Sequence, residues 1–289
     1  MRTVTPRSPL AVDIRRRAGW LPDDQDDLES WLAGHRERVE ARGEHVELHP
    51  VVVEFQELID TDPNDFFTRR FKDGQRPVAA HDDDTVIANA CESTPYGIAT
   101  DVARQDRFWI KSQPYSLQDL LAQDESADQF VGGTIYQAFL SATNFHRWHS
   151  PVAGTIVRAF VQEGTYYSEA DSEGSDAVEP TNSQSYMAHT AARAIILIEA
   201  DNPVIGLVAF VPVGMSEVSS CIIDPNITSG YHVAKGEELG YFQFGGSTHC
   251  LVFRPGVIAD FALAAIPQPH DPHAPLMLIN SKLAAANTI

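Results

Sequence analysis

The chain has 289 residues, of which 43% are hydrophobic and 21% charged, a balance that suits a folded protein and excludes a wholly disordered one. Forty acidic against 21 basic side chains give a formal charge of −19, which disfavours nucleic acid as a partner. The sequence shows no secretion signal and no apolar run near twenty residues, so we expect a cytoplasmic protein without an integral membrane segment. Cys91, Cys221 and Cys250 have neither a metal-binding spacing nor a disulfide framework and are interpreted as buried thiols.

The first predicted elements are helical. Residues 23–43 place Leu28, Trp31 and other apolar side chains on one helical face, with acids early and arginines late in the segment. A second helical stretch, VVVEFQELID, ends at the break before Pro63. Residues 1–63 are therefore predicted to form a helical N-terminal segment.

From about residue 84 the sequence changes to short β-type runs separated by turn residues. The predicted strands are TVIANA, RFWIK, GTIVRAFV, RAIILIEA, VIGLVAFVPV, EVSSCII and HCLVF. Two helical patterns interrupt them, YSLQDLLA and GGTIYQAFLSAT, so the series is not a regular βαβ repeat. We expect an α+β fold with a β-rich core. Residues 168–185 are predicted to be a surface loop, and the tail from Ser281 a short peripheral helix.

Two segments carry residue types suited to chemistry. One is a Gly-Gly-Ser-Thr turn at residues 245–248, which by itself is usually only a turn. The other contains His146 and His149, three residues apart after a helical pattern, and one helix turn would place both rings on the same side.

These segments resemble the phosphatidylserine decarboxylase family. HRWHSPVAG is followed nearly a hundred residues later by KGEELGYFQFGGST, and the resemblance extends over residues 64–256 through DFFTRRFKDGQRP and IKSQPYSL. The stretch ACESTPY and the sequence around Trp109 are closer to the branch of amino acid decarboxylases that includes tryptophan decarboxylase. That branch usually has a longer N-terminal region than residues 1–63 provide.

The resemblance implies a chain that cuts itself. Ser247 attacks the carbonyl of Gly246, and the resulting ester is converted to a pyruvoyl group at the new N-terminus. Residues 64–289 would form the decarboxylase domain, cut into chains 1–246 and 247–289 that stay associated. The pyruvoyl cofactor provides the electron sink that no protein side chain supplies, through a Schiff base with a substrate amine.

The same resemblance assigns roles to three further side chains. His149 is the base that activates Ser247, and His146 lies near the pyruvoyl group, where it could assist Schiff-base formation or protonation. Family members commonly hold this base with an aspartate from a Pro-x-Asp-Gly segment, but Tyr96 stands at that position. Glu92 is the nearest acidic residue and is the candidate partner of His149.

Three other interpretations fit the sequence less well. A zinc site needs four ligands, and no cysteine or third histidine lies near the pair in sequence. A serine hydrolase would show a G-x-S-x-G elbow, which is missing around Ser247. A non-catalytic β-rich binding module is favoured by the missing aspartate but would have no need for a nucleophile beside a base. Because the histidine pair lacks further ligands nearby in sequence, we expect no bound metal.

The resemblance implies that the substrate is either a free amino acid, a small molecule, or phosphatidylserine, since both carry the same α-amino carboxylate. A phospholipid substrate calls for an amphipathic surface element, and the arginines of IRRRAGWL are followed at once by an acidic helix. The charge and the branch resemblance favour a free amino acid, aromatic ones such as tryptophan included.

Overall fold

The computed structural model describes residues 68–72, 74–105, 115–141, 144–165, 184–214, 220–243, 247–268 and 274–288. The predicted N-terminal helices, the strand RFWIK and nearly all of the predicted surface loop lie outside the described residues.

Strands dominate the described part of the chain. The strands are β1 (Val86–Ala88), β2 (Thr94–Thr100), β3 (Thr134–Leu140), β4 (Arg147–His149), β5 (Gly154–Gln162), β6 (Arg193–Ala200), β7 (Leu207–Gly214), β8 (Ser220–Ile223), β9 (His232–Val233), β10 (Glu238–Gln243), β11 (Ser247–Phe253), β12 (Ile258–Phe261) and β13 (Lys282–Ala286). The helices are α1 (Leu117–Leu120) and α2 (Gln184–Thr190), with 3₁₀ turns at Glu125–Phe130 and Leu263–Ala265. Of the described helices, none has the length and apolar character needed to cross a membrane.

The strands form three antiparallel sheets. The largest has seven strands in the order β2-β3-β11-β7-β6-β5-β9, and two smaller sheets have the orders β1-β13-β12 and β4-β10-β8. The predicted β-rich core is confirmed, and six of the seven predicted strand segments contain a strand.

Both faces of the seven-stranded sheet are buried. Alternate residues such as Tyr136, Phe210 and Leu251 belong to a cluster that includes Trp148 and Phe242 of the small β4-β10-β8 sheet. Residues of opposite parity form a second cluster, which takes in side chains of both helices. The large sheet is therefore a middle layer, with small sheets on one side and helices on the other.

One predicted helix was wrong. The segment GGTIYQAFLSAT contains β3, which pairs with β2 on one side and β11 on the other. Because both faces of this strand are covered, most of its residues are buried and the period-two alternation that marks a half-exposed strand is lost. The helix predicted in YSLQDLLA is confirmed as the single turn α1.

The tail was also predicted wrongly. Residues after Ser281 form β13, which lies between β1 and β12, and Leu283 and Ala284 are fully buried. The run Leu-Ala-Ala-Ala favours a helix locally, but pairing on both edges outweighs that preference. The C-terminal strand is thus part of the core rather than a peripheral element.

Candidate active site

Ser247 is the first residue of β11. It pairs in register with Leu140 of β3 and Gly214 of β7, so its backbone is held between two strands. The side chain is 1% exposed, and its Oγ has no hydrogen-bond partner among the described residues. Gly246, on the other side of the predicted cleavage point, lies outside the described residues.

His146 stands immediately before β4 and is fully buried. Its backbone carbonyl accepts a hydrogen bond from the N–H of Phe242 at 2.9 Å, and its Nδ1 donates to the carbonyl of Asn144 at 2.8 Å. Burial lowers the pKa of the ring to about 4, so it is neutral near pH 7. Because a carbonyl can only accept, Nδ1 carries the proton and Nε2 carries the lone pair.

His149 is oriented by an asparagine. Its Nδ1 lies 3.0 Å from Oδ1 of Asn280, whose Nδ2 donates to the carbonyl of Arg76 at 3.0 Å. The second bond fixes which end of the amide faces the imidazole, so Nδ1 of His149 donates and Nε2 is left as the basic atom. Burial lowers the pKa of His149, and the bond to Asn280 opposes that effect.

Glu92 does not occupy the position predicted for it. Its carboxylate accepts from Nε of Arg76 at 2.8 Å and from Nη2 at 3.4 Å, and no described contact joins it to His149. Glu238 pairs with His149 along the strands, yet its carboxylate binds Nη1 of Arg147 at 2.5 Å. Arg76 thus pairs with the buried carboxylate of Glu92, and Arg147 with the partly exposed one of Glu238. The charge of Glu238 still acts on His149, because it opposes the effect of burial on the pKa of the ring.

The two histidines flank different parts of β10. His146 is bonded to Phe242 near the end of β10, whereas His149 pairs with Glu238 at its beginning. The histidine segment runs into strand β4 and is not helical, so the predicted helix turn with both rings on one side was wrong. Within the described residues, no hydrogen bond joins Ser247 to either ring.

Two further residues of this region were not predicted from the sequence. Asn280 comes from the tail, and no motif around it indicated that it would meet a histidine 131 positions away. His249 lies two residues after Ser247 in β11 and is fully buried. The sequence could have indicated that His249 lies on the same face as Ser247, because residues two apart in a strand share a face.

Other features of the described chain lie away from these residues. A cavity of about 210 Å³ is lined by side chains that include His81, Asp201 and Lys235. Ser247, His146 and His149 do not line it. No group of three or more His, Cys, Asp or Glu side chains in the described ranges could hold a metal ion. The three cysteines are buried and free, as predicted.

The model of the phosphatidylserine decarboxylase family matches residues 63–267 of this chain. The chain belongs to the phosphatidylserine decarboxylase family. The resemblance inferred from the two motifs is thereby confirmed, and the match includes Ser247 and both paired histidines.

Several relatives in the family are similar in sequence. The decarboxylase iboD of Amanita muscaria is 47% identical over 208 residues, which cover 68% of this chain and 59% of the relative. The L-tryptophan decarboxylase of Psilocybe cubensis is 42% identical over 202 residues, covering 66% of this chain and 46% of the relative. Phosphatidylserine decarboxylase proenzyme 3 of Schizosaccharomyces pombe is 33% identical over 194 residues, covering 67% and 19%. The chain spans about half the length of the first two of these relatives.

Proposed function

We propose that this chain is a pyruvoyl-dependent decarboxylase that cuts itself between Gly246 and Ser247 and removes the α-carboxylate of an amino acid. The observation that carries the proposal is Ser247 itself, a buried serine at the start of a central strand and inside the family match. Its Oγ has no hydrogen-bond partner in the part of the chain that the structure describes. A non-catalytic module would gain nothing from leaving this hydroxyl without a partner, since an unpaired buried polar group costs about 1–3 kcal/mol.

The proposed cut begins with an acyl transfer within the chain, in which the carbonyl of Gly246 moves from the nitrogen to the Oγ of Ser247. His149 Nε2 takes the proton from Ser247 Oγ, which forms a bond to the carbonyl carbon of Gly246. The Gly246–Ser247 C–N bond breaks, and the nitrogen takes the proton back. Loss of the Cα proton of residue 247 and departure of the Gly246 carboxylate leave dehydroalanine. One water then replaces the nitrogen, which leaves as ammonia, and a ketone remains at residue 247.

Residue 247 suits such a group because both neighbouring strands hold its backbone. A cut before β11 leaves the ladders to β3 and β7 intact, so chains 1–246 and 247–289 stay paired and the new terminus keeps its place. When formed, the pyruvoyl group supplies a carbonyl that condenses with an amine and accepts the electron pair left by carbon dioxide. His146, neutral with a basic Nε2, is proposed to move the proton to or from the reacting carbon.

An amino acid is the proposed substrate class. The two relatives with higher identity, at 47% and 42%, are named a decarboxylase and an L-tryptophan decarboxylase, whereas the phosphatidylserine decarboxylase proenzyme of Schizosaccharomyces pombe is 33% identical. The net charge of −19 also opposes binding to anionic lipid surfaces.

The first test is the chain pattern of the purified protein. We expect intact mass to show two chains, the smaller one lighter by the mass of ammonia than a chain beginning with serine. Ser247→Ala should give one chain of 289 residues, while the control Ser281→Ala, whose hydroxyl only bonds the carbonyl of Leu278 in an exposed turn, should be cut normally. Persistent cutting of Ser247→Ala would contradict the proposal.

The histidine roles are separated by the same assay combined with carbon dioxide release. His149→Ala should remain uncut, whereas His146→Ala should be cut but release carbon dioxide at least about a hundredfold more slowly. Tryptophan, other amino acids and phosphatidylserine vesicles are offered to the matured protein. Turnover of the lipid alone would contradict the proposed substrate class.

A further inference from the structure

Strand β11 carries polar side chains on both of its faces. Ser247, His249 and Leu251 alternate onto the face that meets the small sheets, and Leu251 belongs to the cluster containing Trp148. Thr248 and Cys250 point to the opposite face, where Cys250 joins the cluster on the helical side. The strand therefore places His249 on the same face as the proposed reacting residue.

The two faces differ in how their polar groups are satisfied. On the helical side, the Thr248 hydroxyl donates to the carbonyl of Ala138 at 2.9 Å and accepts from Nε2 of Gln137 at 3.1 Å. Gln137 in turn accepts from the hydroxyl of Tyr115 at 2.5 Å. This side is a connected hydrogen-bond network, as buried polar groups normally are.

His249 has no such partners. Its side chain is fully buried, and within the described residues neither ring nitrogen makes a hydrogen bond. Burial lowers the pKa of the ring to about 3, so the imidazole is neutral, with one N–H donor and one acceptor nitrogen. A core residue that only filled space would be better as leucine, since each unpaired buried polar group costs about 1–3 kcal/mol.

The surroundings of His249 are aromatic and flat. The ring centroids of Tyr136 and Phe210 lie 6.1 Å and 6.0 Å from that of His249, and Trp148 contacts Phe210 edge-on at 6.1 Å. The residues that pair with His249 on the two neighbouring strands are Ala138 and Pro212. Such walls favour an aromatic ring packed edge-to-face, and the imidazole adds one polar anchor point.

We propose that His249 is a specificity-determining residue, which hydrogen-bonds the heteroatom of an aromatic substrate side chain, with a ring N–H as the preferred group. The inference rests on the proposed function, in which residue 247 becomes the reacting group. Residues two apart in a strand are about 7 Å apart, a span suited to the length of one aromatic side chain. Ser247 and His249 are both buried, so the proposal requires that the cut before residue 247 opens this face to a substrate.

The test compares two substrates that differ in one polar group. Tryptophan carries an indole N–H, and 3-(benzothiophen-3-yl)alanine has nearly the same shape with sulfur in its place. We expect the wild-type protein to prefer tryptophan by about tenfold or more in kcat/KM. His249→Leu should lose that preference, and His249→Gln, which keeps a donor and an acceptor, should retain part of it.

Binding gives a second readout that does not depend on turnover. Tryptamine and its benzothiophene analogue are titrated calorimetrically into each matured variant, and the preference should follow the same order. Cys250→Ala is the matched control, because Cys250 lies next in the same strand on the opposite face. Intact mass and thermal unfolding establish that each variant is cut and folded.

The outcomes separate this inference from the proposed function. An uncut wild-type protein, or one releasing no carbon dioxide from any amino acid, would remove the proposed function itself. A wild-type protein that is cut and active, with the substrate ratio unchanged in His249→Leu, would overturn only the role of His249. Folded but uncut His249→Leu and His249→Gln would also overturn it, since the imidazole would then act in cleavage.

Discussion

Asn280 shows how one residue can set the chemistry of another. It adopts a positive φ of 66°, a conformation that asparagine tolerates better than most residues, and it is 4% exposed. Its amide fixes the tautomer of His149 as the aspartate of a triad would. Unlike an aspartate, however, it adds no negative charge to stabilise the protonated ring. Burial lowers the pKa of His149, so the ring is held in its neutral, basic form although the bond to Asn280 opposes that shift.

Substitutions of Asn280 should change the pH dependence of self-cleavage. Cleavage needs neutral His149, so its rate rises with pH through the pKa of that ring. Asn280→Asp places a negative charge beside the ring, raises its pKa, and should move this rise to higher pH. Asn280→Leu removes the acceptor and should slow cleavage by about tenfold or more at every pH.

The measurement is a time course of chain cutting after refolding at a series of pH values. Asn287→Leu serves as the control, because Asn287 also lies in the tail but its amide bonds only the carbonyl of Gly256 at the surface. An Asn280→Asp profile that overlays the wild-type one would show that Asn280 does not act on His149 during cleavage.

At the scale of elements, β10 positions the histidine segment. It pairs with β4 on one side and β8 on the other, with a register shift between Glu238 and Gly240. Gly240 has a φ of +158°, and a Cβ there would lie 2.2 Å from the carbonyl oxygen of Ile222 and 2.8 Å from the ring of Trp148. Only a residue without a side chain allows the three strands to approach this closely.

Gly240→Ala should therefore weaken the fold and disturb the site together. We expect a loss of about 1–3 kcal/mol in the free energy of unfolding by urea, from overpacking against backbone and indole. Self-cleavage should slow as well, because β4 is displaced. Gly230→Ala is the control: Gly230 also has positive φ, at +86°, but a Cβ there would meet nothing within 4 Å. Equal losses in both variants would show that backbone strain alone accounts for the effect.

The whole molecule buries several neutral histidines. Burial lowers the pKa values of His146, His189 and His249 to about 4, 4 and 3, against an ordinary value of 6.5. His189 is held structurally, with Nδ1 donating to the carbonyl of Ser185 and Nε2 accepting from the N–H of Ser116. Each ring is neutral in the folded protein at a pH where the unfolded chain binds a proton.

Stability should consequently fall as the solution becomes acidic. The stability from keeping these rings neutral is fully present above pH 6.5 and is lost as pH falls towards 4, because the unfolded state binds more protons. Each histidine contributes a slope of up to about 1.4 kcal/mol per pH unit. Urea unfolding at pH 7, 6 and 5 measures this slope. His249→Leu should lower the slope by up to about 1.4 kcal/mol per pH unit, the contribution of one titrating histidine. A variant with the wild-type slope would contradict the buried neutral state of His249.

The sequence by itself determined the strand-rich core and the family. Isoleucine-rich apolar runs such as RAIILIEA identify strands because their preference for β-structure agrees with their burial. The two motifs identified the family because each contains several specific residues in order.

What the tertiary structure decided are the contacts between distant segments. Pairing on both edges made β3 and β13 strands, although their local sequences favoured helices. Folding also brought Asn280 to His149 and bound Glu92 to Arg76, pairings between residues that no local pattern connects. Local preferences depend on neighbours in sequence, whereas the partner of a buried polar group depends on which side chains the packed sheets bring within hydrogen-bond distance.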